Sequence, residues 1–164
     1  MLRYLAAFGP ATAADAVTWS KVAGMVDVFE RLRPQLLELH DESGRTLFDL
    51  PRAPRPPANT PAPPRFLPDY DNALLSHVDR GHLMSDEIRK AIWTSNGVLP
   101  GTVLVDGSVA ASWSVDRDGP DALLRVRLLR DITRAQRADV EDEGRGLLAF
   151  LAADADRHQV LIAE

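Results

Sequence analysis

The chain has 164 residues and a mass of 18.0 kDa, which is enough for one domain or for two small ones. It has no cysteine, and this excludes disulfide bonds, iron–sulfur clusters, thiolate zinc sites and cysteine nucleophiles. The formal net charge of −5 argues against a free-standing, high-affinity DNA-binding protein, because contact with nucleic acid must then depend on local basic patches.

The first twenty residues predict two short helices. The segment Leu2–Phe8 has an apolar face and is ended by Gly9-Pro10. Thr12 is a natural N-cap for a second helix, Ala13 to about Ser20. In this helix Asp15 takes the carboxylate position of a capping box.

A third helix and a β-hairpin are predicted next. Met25 to Arg33 follows Gly24, carries an apolar stripe at helical spacing and is ended by Pro34. Segments 36–40 and 45–50 alternate in polarity around a short turn, which is the pattern of a β-hairpin. Three helices followed by a hairpin, with a tight turn between the second and third helices, are typical of a winged-helix module and its helix-turn-helix.

Residues 51–65 predict a proline-rich linker. The sequence from Pro51 to Pro68 contains most of the prolines, favours extended polyproline II structure and cannot pair as a strand. Its arginines also suit a basic arm on phosphates or a ligand for an SH3-type groove, but a solvated spacer is the simpler interpretation. We therefore expect a winged-helix module at residues 1–50 and a second domain at residues 66–164.

The segment after the linker is dense in groups that bind metals or transfer protons. Oxygen and imidazole ligands at such spacing are compatible with a divalent cation, but aspartates before an asparagine equally suit a turn with carboxylate–backbone hydrogen bonds. The neighbouring Ser76 and His77 follow no recognisable triad order. We therefore predict no catalytic residue, no metal ligand and no cofactor. The polar residues concerned are Asp69, Asp71, His77, Asp79, Arg80 and His82.

The clearest β pattern runs from Asn96 to Val115. Thr102–Val105 is apolar and rich in β-branched residues, and Asp106-Gly107 is a two-residue type I′ turn signal before the extended pattern resumes. Alternation places Trp113 on the apolar face of the second strand, so we expect it to be a core anchor. The other residues predicted on that face are Val109, Ala111 and Val115.

Two further strands and a helix complete the second domain. Leu123–Leu129 and Val160–Ala163 predict strands, and the periodic run from Arg134 to Ala153 predicts a covering helix that begins with a capping box of Thr133 and Gln136. Its expected buried stripe is Val140, Leu147, Leu148 and Leu151, and its two glycines, Gly144 and Gly146, suggest close packing on the sheet. The predicted fold class is therefore α+β: a winged-helix module, helix-turn-helix plus β-hairpin, followed by a small β-barrel or curved sheet with a covering C-terminal helix.

A basic face is predicted on the strand 123–129. Alternation points Leu124, Val126 and Leu128 inward, so Arg125 and Arg127 point outward. Outward arginines also keep sheet edges soluble or pair with acids, but this face is the most concentrated basic one outside the linker. The candidate DNA-binding residues are therefore Arg125, Arg127, Arg130 and Arg117 here, with Lys21, Arg31, Arg33 and Arg45 on the winged helix.

Three segments carry a resemblance to a known family. They are RYLAAFGPAT at the start, FLPDYDNALLSHVDR after the linker and NGVLPGTVLVDGSVAASW in the predicted hairpin. Together they resemble the winged-helix, AlkZ-like DNA glycosylase family of bacteria, in particular its actinobacterial members. The resemblance covers essentially the whole chain, and it corresponds to the C-terminal part of a family member.

The resemblance implies a role in DNA repair. Such proteins hold duplex DNA with tandem winged helices and excise alkylated or crosslinked bases by means of a Gln-hydrophobic-Gln element. The glutamines of this chain stand as Gln35-Leu36-Leu37, Gln136-Arg137-Ala138 and Gln159-Val160-Leu161, so this element is absent. We therefore expect a DNA-binding portion that is not catalytic by itself.

Two other functions stay open on the sequence alone. The acidic balance and the nearly neutral third helix also suit a protein-interaction or scaffold module without DNA binding. A complete enzyme of another kind would use the polar segment 69–82. The expected partners are double-stranded DNA, which would be bound weakly, and either a separate protein or further winged helices on the N-terminal side of this chain. No window suits a membrane span, so we expect no membrane partner and a cytoplasmic location.

Overall fold

The computed structural model describes residues 1–93 and 97–163, so Asn96, where the predicted β stretch begins, lies outside the described residues. Contacts divide the chain into two compact units: Met1–Thr60 with Asn72–Arg80, and Pro61–Asp71 with Gly81–Glu164. In chain order the elements are α1 (Leu2–Phe8), α2 (Ala13–Ser20), α3 (Met25–Leu32), β1 (Leu37–His40), β2 (Thr46–Asp49), β3 (Arg65–Leu67), α4 (Asn72–Leu75), α5 (Asp86–Ile92), β4 (Gly101–Val105), β5 (Ser108–Asp118), β6 (Asp121–Leu128), α6 (Arg134–Leu151) and β7 (Arg157–Ala163).

The capping signals in the first unit act as predicted. Asp15 N donates to Thr12 Oγ1 at 3.1 Å and Thr12 N donates to Asp15 Oδ2 at 2.8 Å, which confirms the capping box of α2. Gly24 at the start of α3 has φ 78°, a left-handed conformation that glycine adopts without strain. Helix α3 ends at Leu32, one residue before the predicted end, because Arg33–Gln35 forms a 3₁₀ turn.

One apolar core joins the three helices to the predicted hairpin. Strands β1 and β2 pair antiparallel, with Leu37 opposite Asp49 and His40 opposite Thr46. The rings of Phe29 and Phe48 lie 5.1 Å apart between centroids, so α3 packs on β2. The buried core residues are Tyr4, Leu5, Ala11, Ala16, Met25, Phe29 and Phe48.

The beginning of the proline-rich stretch is anchored to this unit. Arg55 Nη2 donates to the buried carboxylate of Asp49 at 2.7 Å and to the carbonyl of Leu50 at 2.7 Å. A buried carboxylate needs such a partner, since an unpaired charge away from water is costly. Arg55 is therefore engaged within its own unit and is not a free basic arm.

The second unit is an open sheet rather than a closed barrel. Its strands lie in the order β3-β4-β5-β6-β7, in which the first four pair antiparallel and β7 pairs parallel to β6. A barrel would require the two edge strands, β3 and β7, to pair with each other. The curved-sheet alternative is therefore confirmed, and the α+β class with it.

The hairpin of β4 and β5 contains the predicted turn and an irregularity. Asp106 and Gly107 have φ of 51° and 75°, as a type I′ turn requires. The register shifts after Val103, so that Ala111 lies opposite Val103 and the following pair skips Ala110. As a result Ala110, rather than Val109, belongs to the core cluster of this unit, and the predicted uniform face is wrong at Val109.

Trp113 faces the core of the sheet and is half-buried. Its Nε1 donates to the carbonyl of Leu67 at 2.8 Å, and its ring meets Phe66 edge-on at 5.9 Å. The ring lies over Gly101, its partner across β4 and β5, where an added Cβ would approach ring atoms to 2.6 Å. Trp113 therefore ties the short edge strand β3 to the rest of the sheet. The expectation that the whole stretch from Pro51 to Pro68 cannot pair as a strand is wrong at Arg65–Leu67, where three residues without a proline pair with β4.

Helix α6 packs on the same face of the sheet through a row spaced four residues apart. The row is Val140, Gly144, Leu148 and Ala152, all buried. The expected burial of Leu151 is wrong: it is 49 % exposed, because the row continues to Ala152 at the end of the helix. Along the described residues no helix is both long and apolar enough to cross a membrane.

Candidate nucleic-acid interface

The sheet face opposite α6 carries alternating arginines and hydroxyls. Leu124 and Val126 of β6 point into the core under α6, so Arg125 and Arg127 between them project from the other face and are exposed, as predicted. The paired residues of β5 are Ser114, opposite Arg125, and Ser112, opposite Arg127. We call the group Ser112, Ser114, Asp116, Arg125 and Arg127 the arginine face.

The two arginines of this face differ in their partners. Arg125 Nε donates to Asp116 Oδ2 at 2.5 Å, along a diagonal between the two strands. Among the described residues, Arg127 Nε reaches only the hydroxyl of Ser112, at 3.5 Å. Arg127 is therefore the less engaged cation of the arginine face, and Arg125 is already paired with a carboxylate.

The other two candidate arginines of this unit have partners of different kinds. Arg117 forms a bidentate ion pair with Asp154, in which Nη1 donates to Oδ1 at 3.1 Å and Nη2 donates to Oδ2 at 2.8 Å. The hydrogen bonds from this arginine lower the pKa of the Asp154 carboxyl. Arg130 instead donates to backbone carbonyls of Val105 and Val109 and to the hydroxyl of Ser108. Arg130 thus stabilises the turn between β4 and β5 and is half-buried there.

A small open cavity lies beside Arg130. Its volume is about 270 Å³, and its polar lining includes His82, Ser85, Glu87 and Arg130. Ligand pockets usually begin at roughly 300 Å³ and enclose most of the ligand. This cavity therefore suits water or a small group better than a nucleotide.

The candidate cations of the first unit divide into two kinds. Arg33 pairs with Glu30 at 2.7 Å and with Glu38 at 2.5 Å. Arg45 pairs with Asp41 and Asp79, at 2.5 and 3.1 Å. Hydrogen bonds from Ser43 and Arg45 hold the pKa of the Asp41 carboxyl well below its usual range, so the hairpin turn is internally neutralised.

Lys21 and Arg31 keep more of their positive charge available. Lys21 ends α2 in a left-handed conformation, with φ 57°, and Arg31 donates only to the backbone carbonyl of Asp27, at 3.3 Å. Within the part of the chain that the structure describes, neither forms an ion pair with an acid at 4.0 Å or less. These two residues are the stronger candidates of the predicted helix-turn-helix.

The middle of the polar segment 69–82 is hydrogen-bonded to α1 and α2. The buried carboxylate of Asp15 accepts from the N–H of Val78 at 2.7 Å, and Tyr4 Oη donates to the carbonyl of Ser76 at 2.8 Å. Burial, with the nearby charge of Asp15 as the lesser cause, raises the pKa of Tyr4 well above its usual range. Ser76 Oγ lies 2.9 Å from His77 Nδ1, but Ser76 is buried, so this pair does not present a nucleophile to solvent.

The described residues contain no group of three or more histidine or acidic side chains arranged to hold a metal ion. Asp69 and Asp71 belong to the second compact unit, and His77 and Asp79 belong to the first. Arg80 donates to the carbonyl of Leu74 at 2.5 Å. The sequence cluster of acids and histidines therefore divides between the two units.

The structure also pairs residues that sequence reasoning treated separately. The contact between Arg125 and Asp116 depends on the register of β5 and β6, which places the two residues on one face although nine positions separate them. The signal was present, because Asp116 continues the alternation of Ser112 and Ser114. The carbonyl contacts of Arg130 had no such sequence signal.

These features define an α+β protein with a three-helix-and-hairpin unit and an open five-stranded sheet that carries arginines on the face opposite α6. The family described as DNA glycosylase AlkZ-like matches residues 1–150, and the chain belongs to this AlkZ-like family, as the resemblance predicted. The solved structure of Streptomyces sahachiroi DNA glycosylase AlkZ is similar, with a TM-score of 0.77 and 25 % sequence identity. That similarity covers 98 % of this chain and 44 % of the Streptomyces chain, so this chain spans less than half of that glycosylase. Among curated proteins no match was found.

Proposed function

We propose that this chain is a DNA-binding portion of an AlkZ-like DNA-repair protein and that duplex DNA contacts the arginine face. The observation that carries this proposal is the pair of exposed arginines, Arg125 and Arg127, on the sheet face opposite α6. Arg125 lies opposite Ser114, which is exposed, and Arg127 lies opposite Ser112, which is buried. Guanidinium and hydroxyl groups are common donors to DNA phosphates. Membership of a DNA glycosylase family supports the same ligand.

The binding is weak and sensitive to salt. Two arginines and one aspartate give the arginine face a local charge near +1, in a protein whose net charge is −5. Each phosphate that a basic side chain neutralises contributes a salt slope of about −0.9. Two contacts therefore give a slope of roughly −2, and long-range attraction by the whole molecule is absent.

The three-helix unit is proposed to be a winged helix that supplies a lesser contact. The order of its elements matches the motif, and Lys21 and Arg31 have no acidic partner among the described residues. Arg33 and Arg45 are held by acids, so contact through them would first break an ion pair. The arginine face is therefore the main surface.

We further propose that the chain does not excise bases by itself. None of its three glutamines belongs to a Gln-hydrophobic-Gln element. Gln136 caps α6 and donates to Asp106 at 2.6 Å, and Gln159 lies on β7, so each has a position in the fold unrelated to such an element. In the polar segment 69–82, Ser76 and Val78 are hydrogen-bonded to Tyr4 and Asp15 of the first two helices.

The test is equilibrium binding of a fluorescent duplex of about 20 base pairs at low salt, measured by anisotropy. The double variant Arg125→Glu/Arg127→Glu should bind at least about ten-fold more weakly, and the magnitude of its salt slope should fall by about two. The control is Arg134→Glu/Arg145→Glu on α6, which changes the net charge equally on the covered side of the sheet. Equal affinity and slope for both double variants would exclude the arginine face as the DNA surface.

A scaffold function is the second candidate, and one observation favours it. Val22 and Val26, on either side of the Gly24 turn, are 54 % and 61 % exposed, which suits contact with protein better than contact with phosphate. If the wild-type chain binds no duplex at 20 mM salt, this candidate replaces DNA binding.

A further inference from the structure

We propose that Asp116 is a built-in competitor for phosphate on the arginine face. It occupies the guanidinium of Arg125 and so keeps the affinity of this face for DNA low. The inference rests on the proposed DNA contact and concerns how that contact is regulated.

The pairing of β5 and β6 brings the carboxylate of Asp116 to the guanidinium of Arg125. Arg125 lies directly opposite Ser114, yet its Nε turns along the diagonal to the carboxylate of Asp116, at 2.5 Å. A carboxylate oxygen at this distance takes the place of a phosphate oxygen, because both anions accept the same charge-assisted hydrogen bonds from arginine. DNA must therefore displace Asp116 before Arg125 can contact a phosphate.

The ion pair is poorly explained as a stabilising contact. The side chains of Arg125 and Asp116 are 52 % and 54 % exposed, and ion pairs this accessible contribute little to folding. The strand pairing on either side is complete without it, since β5 and β6 are in register from Ala111 to Asp118. Loss of the carboxylate should therefore change phosphate binding much more than stability.

Arg127 shows what the face is like without such a competitor. It stands two residues further along β6 and is exposed, and in the part of the chain that the structure describes it reaches only a hydroxyl, at 3.5 Å. Asp116 also lowers the electrostatic potential over the whole arginine face, since its charge is only partly screened at this range. One carboxylate therefore acts on both arginines, directly on Arg125 and through space on Arg127.

The test compares duplex binding by the full chain carrying Asp116→Asn with that by the wild type at low salt. Asp116→Asn should bind about three- to ten-fold more tightly, with a salt slope that stays at roughly −2, because DNA no longer has to displace the carboxylate from Arg125. The matched control is Asp118→Asn, which removes the same charge two residues further along β5. Asp118 forms no ion pair among the described residues, so its effect should be less than about two-fold.

A second pair of variants separates this inference from the proposed function. In the background of Arg125→Gln, the substitution Asp116→Asn should lose most of its gain. If Asp116→Asn binds no better than Asp118→Asn while Arg125→Glu/Arg127→Glu still weakens binding, the competitor role is wrong and the DNA surface stands. If the arginine reversal has no effect either, both are wrong. Unchanged circular dichroism and melting of Asp116→Asn verify that the comparison concerns folded protein.

Discussion

Thr102 in β4 is fully buried, and among the described residues its Oγ1 has no hydrogen-bond partner. The other buried polar side chains differ in this respect, as Asp15 shows by accepting from Thr12 and Val78. A buried hydroxyl without a partner destabilises the folded state, because no hydrogen bond replaces those that it made with water. Burial of the methyl group of Thr102, by contrast, stabilises the folded state.

Thr102→Val should therefore leave the free energy of unfolding unchanged or raise it by up to about 1 kcal/mol. Valine keeps the shape and removes only the hydroxyl. Thr102→Ser is the matched control, since it keeps the hydroxyl and loses the methyl, and it should destabilise by about 1 kcal/mol. Urea unfolding measures both, and a valine variant less stable than the serine variant would show that the hydroxyl has a partner.

The sheet face on which a side chain lies was predictable where the alternation within a single strand determines it. The alternation of β6 was enough to place Arg125 and Arg127 on the face opposite α6, where both are exposed. Their partners were not predictable, because an ion pair such as that with Asp116 depends on the register between two strands. For the same reason the sequence did not distinguish Arg130, which contacts carbonyls, from Arg127, which projects into solvent.

Among the elements, α6 shows how the same residue type has opposite effects at two positions. At Gly144 an added Cβ would lie 2.8 Å from Cδ2 of the buried Leu124, whereas at Gly146 no atom lies within 4 Å. Glycine inside a helix costs about 1 kcal/mol relative to alanine. Close packing accounts for Gly144, as the sequence suggested, but it does not account for Gly146.

Gly146→Ala should therefore stabilise the protein by about 1 kcal/mol. Gly144→Ala should destabilise it by about 1 kcal/mol, because overpacking against Leu124 outweighs the same helical gain. Thermal unfolding followed by circular dichroism gives both signs in one experiment. Stabilisation by both substitutions would mean that Leu124 moves aside and that the helix is not held close to the sheet by Gly144.

Elements were predicted well wherever a local signal marks their ends. The capping boxes at Thr12 and Thr133 place the starts of α2 and α6 correctly. The bulge at Ala110 and the parallel pairing of β7 were not predicted, since both depend on contacts between strands rather than on their own residues. The burial of Leu151 was mispredicted for a related reason: helical spacing does not show where the underlying sheet ends.

At the scale of the whole molecule, membership of the AlkZ-like family does not by itself give this chain the activity of a longer relative. It aligns with 44 % of the Streptomyces glycosylase, so the activity named for that protein is not carried over to this chain. The expected boundaries at residues 50 and 66 stay a prediction. The sequence left a small barrel and a curved sheet as alternatives, because the strand pattern does not reveal whether edge strands meet.

The purified chain should not release an alkylated base from a damaged duplex. Base excision requires a group that positions water and a pocket for the extruded base, and the proposed DNA surface of this chain is an exposed sheet face. Chromatography of free bases after incubation with alkylated DNA measures this. Release that Asp69→Ala or Asp71→Ala abolishes would overturn the expectation and give the polar segment a catalytic role.

The parallel pairing of β7 also has a consequence for the order of folding. Strands β4, β5 and β6 are joined by tight turns, so their contacts are local and form early. Strand β7 meets β6 across a separation of 36 residues, between Asp121 and Arg157, and α6 must be completed in between. We therefore expect a nascent chain to form a three-stranded intermediate. Its apolar face, which includes Leu124 and Val126, stays exposed to solvent until α6 packs on it. That interval is when this protein is most exposed to aggregation or to capture by a chaperone.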